Sequence, residues 1–381
     1  MDLLFLAALV SLPVSLGIAA ELVLGGSSLR FLRDMPLAES FPRVSVLIAA
    51  RNEERNVEQA LRSVLSQDYP DYEVIVVDDR STDRTGEILD EISRAHPVLR
   101  VVHLKELPSG WLGKNHALHD AALHASGEYL LFTDADVVMD PTTLSRAVRR
   151  MEEKGLDHLT LGPDVIMPGF LLNMFAGFFT ILFSLYARPW RANKRRSRCF
   201  VGIGAFNMLK ASVYRSIGTH RAIAMRPDDD MKLGKLVKKS GYKQEFLHGH
   251  RMIAVEWYSS VSEMIHGLEK NSFAGVEYNV FVIAGAIVMQ ITLFIWPFVA
   301  FFTMSGGIWL LNALIVAIWI ALYRVCSEYS EKGQWYGPLI PLASCLFMVV
   351  ILNSTYKTLS NDGINWRGTH YPLSELKANR V

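Results

Sequence analysis

The sequence is poor in the features that define several common classes of protein. It has three cysteines among 381 residues, Cys199, Cys326 and Cys345, which are too few and too scattered for a disulfide framework or a zinc site. The formal net charge is +1, so no overall field favours nucleic acid as a partner. No G-x-G-x-x-G fingerprint follows the first apolar run, and there is no Walker A lysine motif. The sequence therefore lacks the signatures of a dinucleotide-dependent dehydrogenase and of a P-loop protein.

Apolar residues are abundant, at 50% of the chain, and are concentrated toward its two ends. Residues 3–24 are nearly all apolar, and about 20 such residues cross a bilayer. We predict an N-terminal transmembrane helix over residues 1–25. The alternative is a cleaved signal peptide, which would need a basic n-region that this stretch lacks. Arg30, Arg33 and Arg43 follow, and the positive-inside rule then places the next segment in the cytoplasm.

The C-terminal part contains three further apolar runs, within residues 280–357. The runs 280–304 and 307–325 are each long enough to form a membrane span. The run 337–352 is shorter and is predicted as a third span or a re-entrant segment. Three full spans would place the tail, residues 358–381, outside, although its lysines and arginines favour the inside. Two and three spans both stay open.

One apolar stretch, residues 170–186, lies inside the otherwise water-soluble middle of the chain. It leads directly into ARPWRANKRRSR, which carries six cations. An interfacial helix beside cations that face anionic lipid fits this pattern better than a span. An ordinary core helix followed by a solvated basic loop is the alternative. We predict an interfacial helix over 170–187, within a catalytic domain that extends over 40–275.

Short β-branched runs alternate with helical patterns between residues 43 and 136. The predicted strands are RVSVLIAA, YEVIVVDD, LRVVHL and EYLLFTDAD. Strands that alternate with helices of about 10–15 residues are typical of βαβ units, so we predict an α/β fold with a mostly parallel sheet. Open α/β sheets bind ligands at the carboxyl ends of their strands. The acidic residues at these strand ends are therefore candidate site residues.

Two pairs of aspartates end predicted strands. Asp78 and Asp79 could accept hydrogen bonds from a uracil imide or a ribose hydroxyl, or could cap the following helix. Asp134 and Asp136 are separated by one residue, so their carboxylates share one face of an extended segment. With diphosphate oxygens and water they would suit octahedral Mg²⁺ or Mn²⁺, which acts as a Lewis acid. A solvated turn is the alternative.

Two further segments place charged residues at predicted helix starts. GWLGKNHAL, residues 110–118, puts Lys114 where a lysine and a helix N-terminus could both meet a phosphate, although a surface loop would look similar. RPDDDMKLG puts Asp228, Asp229 and Asp230 before an amphipathic helix. Acids favour that position for dipole reasons alone. A buried one could instead deprotonate an acceptor hydroxyl.

In this order along the chain, the motifs resemble the family 2 glycosyltransferases of the GT-A fold, from about residue 43 to residue 271. VLIAARNEERNVEQALRSVLSQDYPDYEVIVVDDRSTDRT is similar to that family's opening, FTDADVV to its metal motif and DDDMKLG to its acidic motif. The Trp-x-Gly-Lys loop and the flanking apolar segments are similar to membrane enzymes that glycosylate carotenoid acids and hopanoid-type lipids. The family's usual opening has Tyr in many members where this chain has Arg51.

The resemblance implies a role for each matching residue. Asp230 would be the catalytic base, with Asp229 at the family's Glu position. Asp229 and Trp111 would serve the acceptor side. Asp134 and Asp136 would hold the metal. The donor would be bound by Ala50, Asn52, Glu53, Asp78, Asp79, Lys114, Asp134 and, in the segment HGLEKN that is similar to a Gly-x-x-Lys motif, Lys270.

The predicted activity is inverting transfer of a single sugar from a nucleotide-sugar, expected to be a UDP-sugar, to a membrane lipid or isoprenoid acceptor. The predicted location is the cell membrane, with the catalytic domain in the cytoplasm. A processive polysaccharide synthase is disfavoured, because EWYSSVSEMIHGLEKNSF lacks that group's Gln-x-x-Arg-Trp motif. Another nucleotide-sugar-using transferase, a nucleotidyltransferase and a non-catalytic scaffold are further alternatives. Donor sugar, acceptor lipid and oligomeric state stay open.

Overall fold

The computed structural model describes residues 3–326 and 333–381, so residues 1–2 of the predicted N-terminal helix and residues 327–332 of the predicted C-terminal region lie outside the described residues. The chain forms two compact units, each assembled from separate stretches of sequence. The helical unit comprises residues 3–28, Met167–Arg188 and Trp257–Leu373. The sheet unit comprises Leu29–Ile166, Pro189–Glu256 and Ser374–Val381.

Twelve strands are found among the described residues. They are β1 (Val44–Ala50), β2 (Tyr72–Asp79), β3 (Leu99–Leu104), β4 (Tyr129–Asp134), β5 (Val137–Met139), β6 (His158–Gly162), β7 (Asp164–Ile166), β8 (Asn207–Lys210), β9 (Gln244–His248), β10 (Ile253–Glu256), β11 (Gly363–Trp366) and β12 (Thr369–Pro372). The four strands predicted from sequence are β1, β2, β3 and β4, and all four are confirmed.

The helices over the same residues follow in chain order. They are α1 (Leu3–Gly26), α2 (Val57–Leu65), α3 (Thr85–Ala95), α4 (Gly113–His124), α5 (Thr143–Lys154), α6 (Gly169–Ala187), α7 (Pro189–Ala192), α8 (Ala211–Ser216), α9 (Asp229–Lys239), α10 (Val261–Ser272), α11 (Val280–Gln290), α12 (Trp296–Thr303), α13 (Gly306–Cys326), α14 (Ile340–Ser360) and α15 (Leu373–Ala378).

The sheet unit is built on a seven-stranded sheet in the order β3-β2-β1-β4-β8-β6-β9. β1 pairs in parallel with β2 and with β4, and β2 pairs in parallel with β3. β8 is antiparallel to both β4 and β6, and β6 and β9 are parallel. The predicted mostly parallel α/β sheet is therefore confirmed.

The central strand β1 is apolar on both faces because core packs against each side of the sheet. Val46 and Ile48 belong to one core cluster. Leu47 lies between them in sequence and belongs to the other. Alternate residues of a strand point to opposite faces, so an unbroken apolar run is what a strand covered on both sides requires. This covering leaves the strand ends as the place where polar side chains gather.

Among the described residues, five helices are long and apolar enough to cross a membrane, judged by length and composition. They are Leu3–Gly26, Gly169–Ala192, Val280–Thr303, Gly306–Cys326 and Gly337–Ser360. The third C-terminal run, predicted as short, is thus part of a helix of 24 residues. A π-helical turn, Ile291–Ile295, interrupts the first of the three C-terminal segments, Val280–Thr303.

Helix α6 is packed into the helical unit rather than lying free beside the sheet. Phe175 and Phe178 are fully buried, and the ring centroids of Phe178 and Phe294 are 5.1 Å apart. Gly177 has no room for a side chain, because a Cβ there would collide with the ring of Tyr323. The predicted division grouped this helix with residues 40–275, whereas its apolar contacts group it with the other apolar helices.

Candidate active site

The carboxyl ends of three parallel strands meet at one edge of the sheet. Ala50 of β1 is in register with Asp78 of β2, and Ala49 is in register with Asp134 of β4. Parallel strands that end together place the following loops side by side. The predicted carboxylates of β2 and β4 therefore lie on the two sides of the β1 terminus.

The loop after β1 is tied to the loop after β2 by side-chain hydrogen bonds. The backbone N–H of Asn52 donates to Ser81 Oγ at 3.0 Å, and Asn52 Oδ1 accepts from the Thr82 N–H at 2.8 Å. The Glu53 N–H donates to Thr85 Oγ1 at 2.8 Å. Asn52 has φ of 54°, a left-handed conformation that asparagine tolerates better than most residues. Donor binding by Asn52, Glu53 and the adjacent Ala50 stays a prediction.

Asp78 and Asp79 have different partners. Asp78 accepts from His103 Nδ1 at 2.9 Å and from the Ser81 N–H at 3.2 Å, so it holds the loop after β2. Asp79 accepts from Arg80 Nε at 2.7 Å and from Arg80 Nη2 at 3.0 Å. Neither caps the following helix, which begins at Thr85 without a side-chain cap. The cap alternative is therefore wrong, and donor binding by either residue stays a prediction.

Two arginines that the sequence analysis did not assign to the site surround Asp79. Arg80 makes the two hydrogen bonds described above, and Arg51 Nη1 lies 3.5 Å from Asp79 Oδ2. Gly113, at the start of α4, lies so close that a Cβ there would collide with Asp79 Oδ2. The first turn of α4 can therefore approach this carboxylate only because residue 113 is glycine.

Lys114 connects the strand-end carboxylates with the acidic motif. Its Nζ is 2.6 Å from Asp134 Oδ1 and 3.6 Å from Asp229 Oδ2. Burial alone would lower the pKa of Lys114, but the charges of Asp134, Asp229 and Asp230 outweigh it and hold that pKa above its ordinary value. Lys114 is therefore a fixed positive charge at the centre of the site.

Asp136 is a buried carboxyl group close to other acidic side chains. Burial, and then the charges of Asp134 and Glu53, raise the pKa of Asp136 to about 7. Its Oδ1 is buried and has no hydrogen-bond partner among the described residues. Over the described ranges, no group of three or more histidine, cysteine or acidic side chains could hold a metal by itself. Asp134 and Asp136 thus fit an ion whose other ligands come from diphosphate and water.

Asp230 lies in the first turn of α9 and is held by two backbone donors. Its Oδ2 accepts from the Gly204 N–H at 2.9 Å and its Oδ1 from the Met231 N–H at 2.7 Å. Burial, and then the charge of Asp229, raise the pKa of Asp230 to about 7. A carboxyl group with such a pKa can take up a proton near neutral pH.

Asp228, the first member of the acidic run, is used structurally. Arg226 forms a fork on it, with Nε 2.9 Å from Oδ1 and Nη2 3.0 Å from Oδ2. Lys232 Nζ lies 3.3 Å from Asp228 Oδ2, and all three side chains are buried. A buried carboxylate that two buried cations neutralise fixes the start of α9 rather than accepting a substrate proton.

Two glycines that were not predicted as site residues, Gly202 and Gly204, allow a loop to pack closely against the site. A Cβ on Gly204 would lie 2.6 Å from Asp134 Oδ2 and 3.4 Å from Lys114 Nζ, and one on Gly202 would collide with the Asp230 carbonyl group. The alternate glycines of VGIGA, residues 201–205, were the available signal. They allow this loop to touch both the metal motif and the acidic motif.

The two remaining predicted residues, Trp111 and Lys270, make other contacts. The Trp111 ring stacks on His119, with centroids 5.0 Å apart. Lys270 is in the helical unit, where its Nζ lies 3.6 Å from the centroid of the Trp366 ring, a cation–π contact. The acceptor role of Trp111 and the phosphate role of Lys270 stay predictions.

Comparison with known proteins connects this geometry to a family. Residues 45–218 match the family described as glycosyl transferase family 2. The 4,4'-diaponeurosporenoate glycosyltransferase of Staphylococcus aureus is 23% identical over 347 residues, which are 87% of this chain and 89% of that protein. The beta-monoglucosyldiacylglycerol synthase of Synechocystis sp. is 37% identical over 110 residues, but the match spans only 22% of its length.

A solved structure shares the fold. The mannosyltransferase PcManGT of Pyrobaculum calidifontis, in complex with GDP-Man and Mn²⁺, aligns over 93% of this chain and 99% of its own, with a TM-score of 0.55 and 18% identity. At that identity the likeness concerns the fold alone. With the confirmed sheet, it shows that the chain has the GT-A fold, and residues 45–218 form a domain that matches glycosyl transferase family 2.

Proposed function

We propose that the chain transfers a single sugar from a nucleotide-sugar, expected to be a UDP-sugar, to a membrane lipid or isoprenoid acceptor with inversion at the anomeric carbon. One observation carries the proposal. Lys114 bridges the strand-end Asp134 and the helix-start Asp229, beside Asp230. This contact supports a site in which the groups proposed to bind the leaving diphosphate lie next to the group proposed to take the acceptor proton.

The donor side of the reaction needs positive charge at the diphosphate. Lys114 is charged and contacts Asp134. Its ammonium group can therefore bind a phosphate oxygen while it remains beside a carboxylate. A divalent ion, Mg²⁺ or Mn²⁺, held by Asp134 and Asp136, would supply Lewis-acid neutralisation of the leaving group. No protein acid is then required to protonate that group.

The acceptor side needs a base, and Asp230 is the candidate. The acceptor oxygen attacks the anomeric carbon from the face opposite the diphosphate, its proton passes to a carboxylate oxygen of Asp230, and the carbon–oxygen bond to the diphosphate breaks. The hydrogen bonds from Gly204 and Met231 fix the orientation of that carboxylate before substrate arrives. One base and one direct displacement give inversion.

A lipid acceptor is supported by the course of the chain around α6. β4 and β6 precede this helix in the chain and β8 follows it, yet β8 pairs with both β4 and β6. A helix whose two flanking segments belong to one sheet must enter and leave a bilayer on the same face. This supports the interfacial placement over a crossing, although the length and hydropathy of the helix would allow either. The basic residues after α1 support a cytoplasmic face.

The acceptor face should be tested at the exposed ends of α6, since its middle is buried. Phe170 is 47% exposed and Leu171 is 44% exposed. Replacing both with serine is expected to raise the KM for a lipid acceptor and to leave UDP affinity unchanged. The same replacement at Phe302, which is 83% exposed on another helix, is the control.

The class of product tests the function itself. Membranes that contain the chain are incubated with radiolabelled UDP-sugar and extracted with chloroform, beside membranes that contain Asp230→Asn. Label in a chloroform-soluble product that depends on Asp230 is expected. Label in an insoluble polymer would instead identify the processive alternative. An α-linked product from an α-linked donor would contradict inversion.

A further inference from the structure

The backbone that leads into the acidic motif is fixed by two asparagine side chains from distant parts of the sequence. The segment is residues 222–226, which Pro227 separates from Asp228. It joins a 3-10 turn, His220–Ile223, to the start of α9. Irregular segments of this kind are mobile unless their backbone groups are bonded. Here the position of α9, and with it Asp230, depends on how the segment is held.

Asn115 holds the segment from the side of the donor motif. Its Nδ2 lies 2.8 Å from the Ile223 carbonyl oxygen, 3.2 Å from that of Ala224 and 2.9 Å from that of Arg226. Asn115 is 1% exposed and directly follows Lys114. The lysine and the approach to the acidic motif are therefore joined through one buried amide.

Asn379 holds the same segment from the C-terminal tail. Its Oδ1 accepts from the Met225 N–H at 2.9 Å, and its Nδ2 donates to the Ala222 carbonyl oxygen at 3.0 Å. Residues Ser374–Val381 belong to the sheet unit, more than a hundred residues after the rest of that unit ends at Glu256. Leu376 is fully buried, and Val381 packs against a core cluster of the sheet.

We propose that Asn115 and Asn379 are positioning residues for Asp230, and that the last residues of the chain are part of the active-site architecture. The inference rests on the proposed function, since it concerns the residue proposed as the base. Together the two amides bond one backbone group of each residue from Ala222 to Arg226. Arg226 in turn makes two hydrogen bonds to Asp228, which connects this segment to the start of α9. Neither asparagine touches substrate in this scheme.

The two asparagines differ in how safely they can be replaced. Asn115 is 1% exposed and bonds three carbonyl groups, so its loss would leave buried acceptors without a donor and endanger the fold itself. Asn379 is half-buried and bonds two backbone groups, fewer than Asn115. The test is therefore made at Asn379, where we expect the fold to survive and the segment to loosen.

The experiment compares Asn379→Ala and Asn379→Asp with Lys377→Ala in the full chain, reconstituted in lipid nanodiscs. Lys377 is exposed in the same tail and is the matched control. Asn379→Ala is expected to lower kcat by roughly tenfold to a hundredfold with the donor KM within about twofold, because small misplacements of a base are costly. Asn379→Asp keeps the acceptor for the Met225 N–H and should lie between. Lys377→Ala should match the unmodified chain.

Hydrogen–deuterium exchange of the peptide that covers residues 222–230 is the second readout. Asn379→Ala is expected to speed exchange there roughly tenfold and to leave β1 unchanged. Unchanged exchange, or faster exchange with an unchanged kcat, would overturn the proposal. If the unmodified chain transfers no sugar, the proposed function fails, and exchange alone then decides whether the tail holds the segment.

Discussion

The sheet unit and the helical unit keep their polar groups in different ways. In the sheet unit, carboxylates and cations converge on one strand edge, with Lys114 between Asp134 and Asp229. In the helical unit, polar side chains join neighbouring helices: Ser344 of α14 pairs with Gln290 of α11 at 3.0 Å, and Lys357 of α14 pairs with Glu269 of α10 at 2.9 Å. These contacts satisfy polar groups between helices, whereas we propose that the clustered charges of the sheet unit serve a ligand. Substitutions should therefore affect chemistry in the first unit and packing in the second.

The largest effect should come from the metal motif. Asp134→Ala and Asp136→Ala are each expected to lower transfer by about a hundredfold to a thousandfold, because the diphosphate charge is left uncompensated. Excess EDTA should do the same to the unmodified chain. Transfer and UDP-sugar binding are measured together. Asp68→Ala, at an exposed acid elsewhere on the sheet unit, is the control, and full activity in EDTA would contradict the assignment.

The proposed base should give an effect of similar or smaller size on turnover alone. Asp230→Asn is expected to lower kcat with a hydroxyl acceptor by about a hundredfold, the lower end of what a general base contributes. Binding of UDP should be retained, since the amide keeps the shape of the carboxyl group. Isothermal titration with UDP separates the two. Loss of UDP binding in this variant would show that Asp230 is part of the donor site instead.

The pH profile should sharpen the same assignment. Burial and Asp229 raise the pKa of Asp230 to about 7. A base must be ionised to accept a proton, so kcat is expected to fall as the pH drops through that value and to level off above it. The residual activity of Asp230→Asn should lack this limb. An unmodified chain whose kcat is flat from about pH 6 to pH 8 would contradict the role.

The smallest effect on chemistry should come from the helical unit. Phe178 is fully buried against Phe294 and Phe347, and Phe178→Ala is expected to cost about 3–5 kcal/mol of stability. UDP affinity of the folded fraction should not change. Thermal unfolding in detergent measures the first and titration the second. Phe302→Ala, at an exposed position, should leave the unfolding temperature nearly unchanged. An equal loss in both variants would remove the contrast between the units.

The sequence allowed much of the sheet unit to be predicted because its signals are local. A strand such as β1 is read from its own apolar run, and Asp134 and Asp136 from their spacing. Gly202, Asn115 and Asn379 were missed because each matters through a contact with a residue far along the chain. Asp228 and Asp230 look alike in sequence, and only their partners, Arg226 for one and backbone donors for the other, separate them.

The placement of residues 374–381 limits how the chain can cross a bilayer. These residues bond to the sheet unit through Asn379, and Glu256 ends the preceding part of that unit. A bilayer cannot pass through a compact unit, so we expect an even number of crossings between residues 256 and 374. Three helices of spanning length are found among the described residues of that interval. We therefore expect at least one of them not to cross, and we expect the basic tail on the same side of the bilayer as the proposed active site.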